Sequence, residues 1–216
     1  MQTSMTGSTN GLQNLPELHF EEEKHQYYLN GMNLPSVTTI MRPLSSALYK
    51  DIDPEVLDKA ATKGTIVHNA IENYVLYGIE DIDPDYGMYF QAFMDWYDEN
   101  EPKVLATEYG VYHKALRYAG MADMIAVVNG KKTLIDFKTS VNVNKMLTGV
   151  QLEAYAKALE SLGQPVDQKA ILHLRKDGKY SYIVYEKNDL ESWTVFGALL
   201  TVHNHIQKYK WRKSNG

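Results

Sequence analysis

The stretch that most constrains this fold is a pair of apolar runs, Tyr118 to Val128 and Lys132 to Thr139, with Asn129-Gly130 between them. Asn-Gly favours the tight turn whose twist matches paired strands, so a β-hairpin is expected here. The first run contains Gly120-Met121-Ala122-Asp123, and the second contains Leu134-Ile135-Asp136-Phe137-Lys138-Thr139. Side chains alternate along a strand, which puts Asp136 and Lys138 on one face, about 6 to 7 Å apart. Pairing through the turn would bring Asp123 beside them. Two carboxylates converging with an ammonium can bind a divalent metal and activate a water, the makings of a phosphodiester-cleaving site.

Around this hairpin the chain reads as αβββαββα. A helix over Tyr86 to Glu99 precedes strands at Val104 to Tyr112, Tyr118 to Val128 and Lys132 to Thr139. A helix over Thr148 to Leu162 ends at Gly163. A second hairpin, Lys169 to Arg175 and Lys179 to Tyr185, turns at Asp177-Gly178, and a final helix spans Asp189 to Tyr209. Earlier, Leu18 to Leu29 suggests a hairpin ending at Asn30-Gly31. Ser36 is placed to cap a short helix after Pro35, and Ser45 to Asp53 reads as a loop. Pro54 opens a long helical pattern that Gly64 is expected to split in two. Phe90, Phe93, Met94, Trp96 and Tyr97 cluster on one side of the Tyr86 helix, as core in preference to a platform for stacking bases.

At 216 residues and 44% hydrophobic, the chain suits one domain with a substantial core. The division expected is a polar, flexible leader over 1–16 and a single domain over 17–216. Within it, 17–101 is a hairpin and helical region, 102–210 the αβ core and 211–216 a basic tail. No run of eighteen apolar residues suggests a membrane span, and a cytoplasmic home is expected. The sequence has no cysteine, which excludes disulfides, thiolate zinc sites and cysteine-held iron–sulfur clusters. The net charge of −5, from 22 basic and 27 acidic residues, argues against a protein that coats nucleic acid non-specifically. It leaves room for an enzyme with a local basic groove.

Further residues join the Asp/Lys core. Glu108 lies on the strand before Asp123. His68 sits in Gly64-Thr65-Ile66-Val67-His68, with Glu72 one helical turn on. Gln151 and Tyr155, four apart, begin a helical stripe continued by Leu159 and Leu162, so they are expected to face a polar site at the sheet's edge.

Gly-Thr-x-x-His, Gly-x-x-Asp, Ile-Asp-Phe-Lys-Thr and Gln-x-x-x-Tyr, in that order, resemble the RecB-type exonuclease branch of the PD-(D/E)XK nuclease superfamily. The stretch His25-Gln26-Tyr27-Tyr28 through Pro35-Ser36-Val37-Thr38 resembles phage and prophage members, relatives of the mitochondrial genome-maintenance exonuclease. The motifs run from Tyr27 to Tyr155, and their joint order is more specific than any one alone. The resemblance implies an α/β, restriction-endonuclease-like core, a mixed central sheet flanked by helices, with an N-terminal helical lid. It also implies metal-dependent exonucleolytic hydrolysis of DNA in phage or prophage recombination, replication or repair.

The roles implied are specific. Asp123, Asp136, the Phe137 carbonyl and His68 would bind the metal. Lys138 would orient or deprotonate the attacking water, or stabilise the transition state. Glu108 would act near the metal, and Gln151 and Tyr155 would position Lys138, the nucleophile or the phosphate. Thr139 would support the strand end. Oxygen ligands with one imidazole suit Mg²⁺ or Mn²⁺, and a cation beside Lys138 would depress its pKa. Two departures stand out. Lys63 replaces an arginine common before the Gly-Thr, and the absence of cysteines removes the iron–sulfur cluster of some relatives. No Gly-x-x-x-x-Gly-Lys-Ser/Thr motif is present, so any unwinding partner, such as a phage recombination or replication protein, would be a separate chain.

Two competing readings use the same residues: a structure-dependent or single-strand endonuclease, and a nuclease-fold module that only binds DNA or protein. Lys208, Lys210, Arg212 and Lys213, interleaved with Tyr209 and Trp211, read as a solvated tail ahead of a DNA contact. Lys114, Arg117, Lys131 and Lys132 flank the hairpin as candidates to line a DNA path. His203 and His205 point to different sides of a helix, which disfavours zinc there.

Overall fold

The computed structural model describes residue 12 and residues 15–214. The rest of the expected leader lies outside the described residues, but Leu12 and Leu15, near its end, are buried against the core. Strands β1 (Leu18–Glu21), β2 (Gln26–Leu29) and β3 (Met32–Leu34) form an antiparallel meander. Asn30 and Gly31, with φ of 50° and 77°, turn β2 into β3, a strand beyond the expected hairpin. Register pairs Phe20 with Tyr27 and buries Tyr27.

Ser36 caps α1 (Val37–Leu48) by accepting the Thr39 N–H at 3.0 Å. The helix runs past Pro43 into the stretch expected as loop. Val37, Ile40, Met41 and Leu44 make one apolar stripe against the core, and that packing carries it across the proline. Asp53 caps α2 (Pro54–Tyr77), which is a single unbroken helix. Gly64 does not divide it; one helical glycine costs only about 1 kcal/mol, and Val67, Ala70 and Ile71 anchor the half that follows. The half before Gly64 stands largely exposed, as a lid would.

After a short 3₁₀ turn, Pro84–Tyr86, α3 (Gly87–Asn100) buries Phe90, Phe93 and Trp96. These rings belong to the core, so no base could stack on them. Burial of each contributes about 1.5–3 kcal/mol.

The main sheet runs β4 (Lys103–Tyr112), β5 (Ala119–Val128), β6 (Lys131–Lys138), β7 (Gln168–Leu174) and β8 (Tyr180–Tyr185), side by side in chain order. All neighbours are antiparallel except β6 and β7, which α4 (Lys145–Ser161) joins as a crossover. Asn129 and Gly130, at φ 49° and 76°, make the expected turn from β5 to β6. One apolar layer joins the sheet to α1, α4, the small sheet and α5 (Leu190–Ser214); a second joins it to α2 and α3. The fold is therefore α/β, a mixed five-stranded sheet flanked by helices. The basic segment expected as a tail is helical through Ser214. Among the described residues no helix is long and apolar enough to cross a membrane.

Candidate active site

The site forms where the sheet opens. Pairing between β5 and β6 ends at Met124 and Ile135, and beyond that point a side chain replaces the ladder: Phe137 N–H donates to Asp123 Oδ2 at 2.7 Å. On the other flank of β5, Thr107 pairs with Met124 and Tyr109 with Ala122, which sets Glu108 opposite Asp123. Glu108 has φ 42°, a left-handed conformation unusual for a non-glycine residue within a strand. It breaks the alternation of β4, because Ala106, Tyr109 and Val111 all join the same apolar layer.

His68, on the anchored half of α2, reaches this fork. Its Nδ1 lies 3.8 Å from Glu108 Oε1 and 3.8 Å from Asp123 Oδ2. That is too long for a hydrogen bond, so the three groups face one another across a gap. Ligand atoms from His68, Glu108 and Asp123 all lie within 4.8 Å of each other, a grouping that could hold a metal ion. The Phe137 ring meets His68 edge-on at 5.5 Å, so Phe137 holds one member of the group by its N–H and another by its ring.

Asp136 and Lys138 share a face as expected, but Asp136 stands outside that triad. Its buried Oδ2 forms an ion pair with Lys138 Nζ at 2.7 Å and lacks a well-directed hydrogen bond. Lys138 Nζ donates to Gln151 Oε1 at 3.2 Å, and Gln151 Nε2 donates to the Tyr155 hydroxyl at 3.3 Å. The two polar residues of the α4 stripe thus form a relay that aims the ammonium. Gly120 makes room for it: a Cβ there would run into the Tyr155 ring. The glycine of Gly-x-x-Asp and the tyrosine of Gln-x-x-x-Tyr are one packing unit.

Charge at the fork is unbalanced. Burial first, then the charges of Asp123, Glu72 and Asp136, push the Glu108 carboxyl up to about 9. Burial pushes Asp136 up to about 6 against the opposing pull of Lys138. Glu72, half-buried on α2, is also raised by burial. The depression expected for Lys138 belongs to a site with a cation beside it; among the chain's own groups its shift is upward. Burial would lower its pKa, but Asp136 and Asp123 outweigh it and the ammonium is held more firmly. Carboxylates in excess of cations, with an imidazole on the open side, suit a hard divalent cation.

Two aromatic residues join that were not among the expected site residues. Tyr27 is buried on β2, and burial with the charges of Glu108 and Asp123 raises its phenol. Tyr49, the C-cap of α1, lines a cleft of about 490 Å³ with Gly64, His68, Lys138 and Gln151. The alternation of β2 was visible in sequence; which of Tyr27 and Tyr28 turns inward depended on register. Thr139, expected to support the strand end, is buried beside this cleft.

Other expected contacts disperse. Lys131 and Lys132 sit at the turn end of the hairpin, about 20 Å along the strand from the fork. Lys132 Nζ donates to the Gln164 carbonyl. Arg117 lies in the β4–β5 connection at the opposite end, so these residues do not line a common path. Lys63 donates to the Tyr89 hydroxyl at 3.2 Å and sits over its ring.

No family model matches the chain, and no curated protein matches it. Among solved structures it is similar to an alkaline exonuclease, LHK-Exo, from Laribacter hongkongensis, at 16% identity, covering 72% of this chain and 86% of that one, with a TM-score of 0.40. It is similar to LHK-Exo in complex with dAMP at 15% identity, covering 84% and 93%, with a TM-score of 0.41. It is also similar to the crystal structure of SSO0001 at 16% identity, covering 68% and 74%, with a TM-score of 0.35. These superpositions are partial, and the chemistry rests on the residues at the fork.

Proposed function

We propose that this chain is a metal-dependent deoxyribonuclease of the PD-(D/E)XK kind, acting as an exonuclease. One observation carries the chemistry: His68, Glu108 and Asp123 converge within 4.8 Å beside the Asp136–Lys138 ion pair. His68, Asp123 and Glu108 would hold the cation, with Asp136 and the Phe137 carbonyl next to them. Mg²⁺ or Mn²⁺ bound there supplies a lowered water pKa and offsets charge on the scissile phosphate.

The chain's own groups do the rest. Lys138, kept protonated by Asp136 and Asp123, presents an ammonium to the non-bridging oxygens as negative charge develops on them. Gln151 and Tyr155 hold its direction, and Asp136 keeps it charged. The first half of α2 and Tyr49 wall the cleft on the solvent side.

Exonucleolytic mode, and a place in phage or prophage recombination, replication or repair, rest on the motif resemblance. The deciding test is cleavage of end-labelled linear and covalently closed DNA, single- and double-stranded, with Mg²⁺, Mn²⁺ or EDTA, for the native protein and Asp136→Ala. Metal-dependent loss of linear DNA alone, absent in the variant, is expected. Cutting of closed circles would make it an endonuclease, and no cleavage by folded protein would leave a binding module.

A further inference from the structure

A second cleft, of about 540 Å³, opens at the other end of α1, between the small sheet, the β4–β5 connection and α5. Its lining is opposite in character to that of the fork. Arg117, His25 and His203 supply cationic or ionisable nitrogen, while Asn33, Asn204 and Gln207 supply amides. None of the residues lining it is acidic, in a chain whose net charge is −5. Among the described residues the Arg117 guanidinium donates to the Met32 sulfur at 3.9 Å, a weak partner for a full charge. Lys210 shares a helical face with His203 and Gln207, and its charge reaches His203, whose pKa is lowered by burial and then by Lys210. Ser36 and Thr39, from the first turn of α1, complete the floor. The positive end of that helix dipole adds to the same potential.

We propose that this cleft binds a backbone phosphate of the nucleic acid whose cleavage is assigned to the fork, with Arg117 as its principal cation. The inference rests on the function proposed above. Tyr49 at the C-cap of α1 lines the catalytic cleft, and Ser36 at its N-cap lines this one. The twelve residues of α1 separate them by about 18 Å. A strand engaged at both would be gripped several nucleotides from the bond being cut. Lys210, on the far side of the cleft, would extend the grip.

The test is equilibrium binding of a fluorescein-labelled single-stranded 20-mer in EDTA across a salt series, with inorganic phosphate as competitor. The proteins compared are native, Arg117→Ala and Asn204→Asp. The second variant places a carboxylate in the cleft from an exposed helical position, so it tests the site even if Arg117→Ala folds poorly. Both variants are expected to bind about tenfold more weakly. For Arg117→Ala the slope of log K against log salt should be shallower by about 0.7. With Mg²⁺, kcat/KM on the same oligonucleotide should fall about tenfold in both variants. Native affinity and slope in both variants would overturn the assignment. Phosphate binding that depends on Arg117, with oligonucleotide binding unchanged, would also overturn it and leave a site for free phosphate. Loss of cleavage in Asp136→Ala is a separate readout: if no protein cleaves DNA but the cleft variants still lose affinity, the cleft stands and the nuclease reading falls.

Discussion

Two charge clusters lie against helix α4, one buried and one partly open to solvent. Glu153 forms an ion pair with Lys169 of β7, both almost wholly buried, and its carboxylate also accepts the Asp189 N–H at 3.4 Å. One acid meets one base, and both are buried. Around Gln151 and Tyr155, Glu108, Asp123 and Asp136, with Glu72 behind them, face Lys138 and His68 alone among the described residues. Removing a charge from water costs several kcal/mol unless it is matched. The Glu153 pair is matched within the chain, whereas the fork is left to be matched by something that binds. Balance separates the structural cluster from the proposed site.

The largest break in this comparison should come from Lys138→Ala. Steady-state cleavage is expected to fall about 100- to 1,000-fold, the usual loss when a preorganised charge at the transition state is removed. Melting of the same variant should also shift downward, because Asp136 loses its cation. An undiminished rate would remove Lys138 from the mechanism.

Lys169→Met should do the reverse. Leaving Glu153 buried and unpaired is expected to cost about 3–5 kcal/mol in urea unfolding, with the turnover of folded enzyme unchanged. Adding Glu153→Leu should recover most of the stability. If the double variant stays as unstable as the single, the pair is more than balanced charge.

Gly120→Ala sharpens the boundary between the two clusters. The new methyl collides with the Tyr155 ring, and overpacking of that kind costs about 1–3 kcal/mol. A displaced Tyr155 also releases Gln151, so kcat should fall more than KM changes. Native kinetics would show that Lys138 keeps its aim without the relay.

The smallest effect concerns Glu108. Its carboxyl rises from 4.5 to about 9 on folding, so the folded protein holds a proton that the unfolded chain releases. Stability from this group is therefore full below about 4.5 and is lost as pH climbs toward 9. In EDTA, native protein should lose stability over that window, and Glu108→Gln should lose less. At pH 8 the variant should melt about 2–4 °C higher in EDTA and gain little from added Mg²⁺. A lower melting point would mean that Glu108 is already balanced within the chain.

Much of this was legible because it is local. The Asn129-Gly130 turn, the shared face of Asp136 and Lys138, the cap at Ser36, the helix start at Pro54 and the αβββαββα order all depend on neighbours within a few residues. Helix ends were less legible: packing of Leu44 carried α1 past Pro43, and packing after Gly64 kept α2 whole. Local pattern does not contain those energies.

The amino-acid order by itself determined which chemistry is present: the acids, the lysine, the imidazole, and strands that put Asp136 and Lys138 on one side. Only the tertiary structure decided how they divide. Glu108 joins His68 and Asp123 because a left-handed residue breaks the alternation of β4. Asp123 takes the Phe137 N–H because β5 and β6 part after Met124 and Ile135. Tyr27 turns inward through pairing with Phe20, and Gly120 meets Tyr155 from across the sheet. Each outcome depends on contacts between residues distant in sequence, whose energies arise only when strands pair and helices pack.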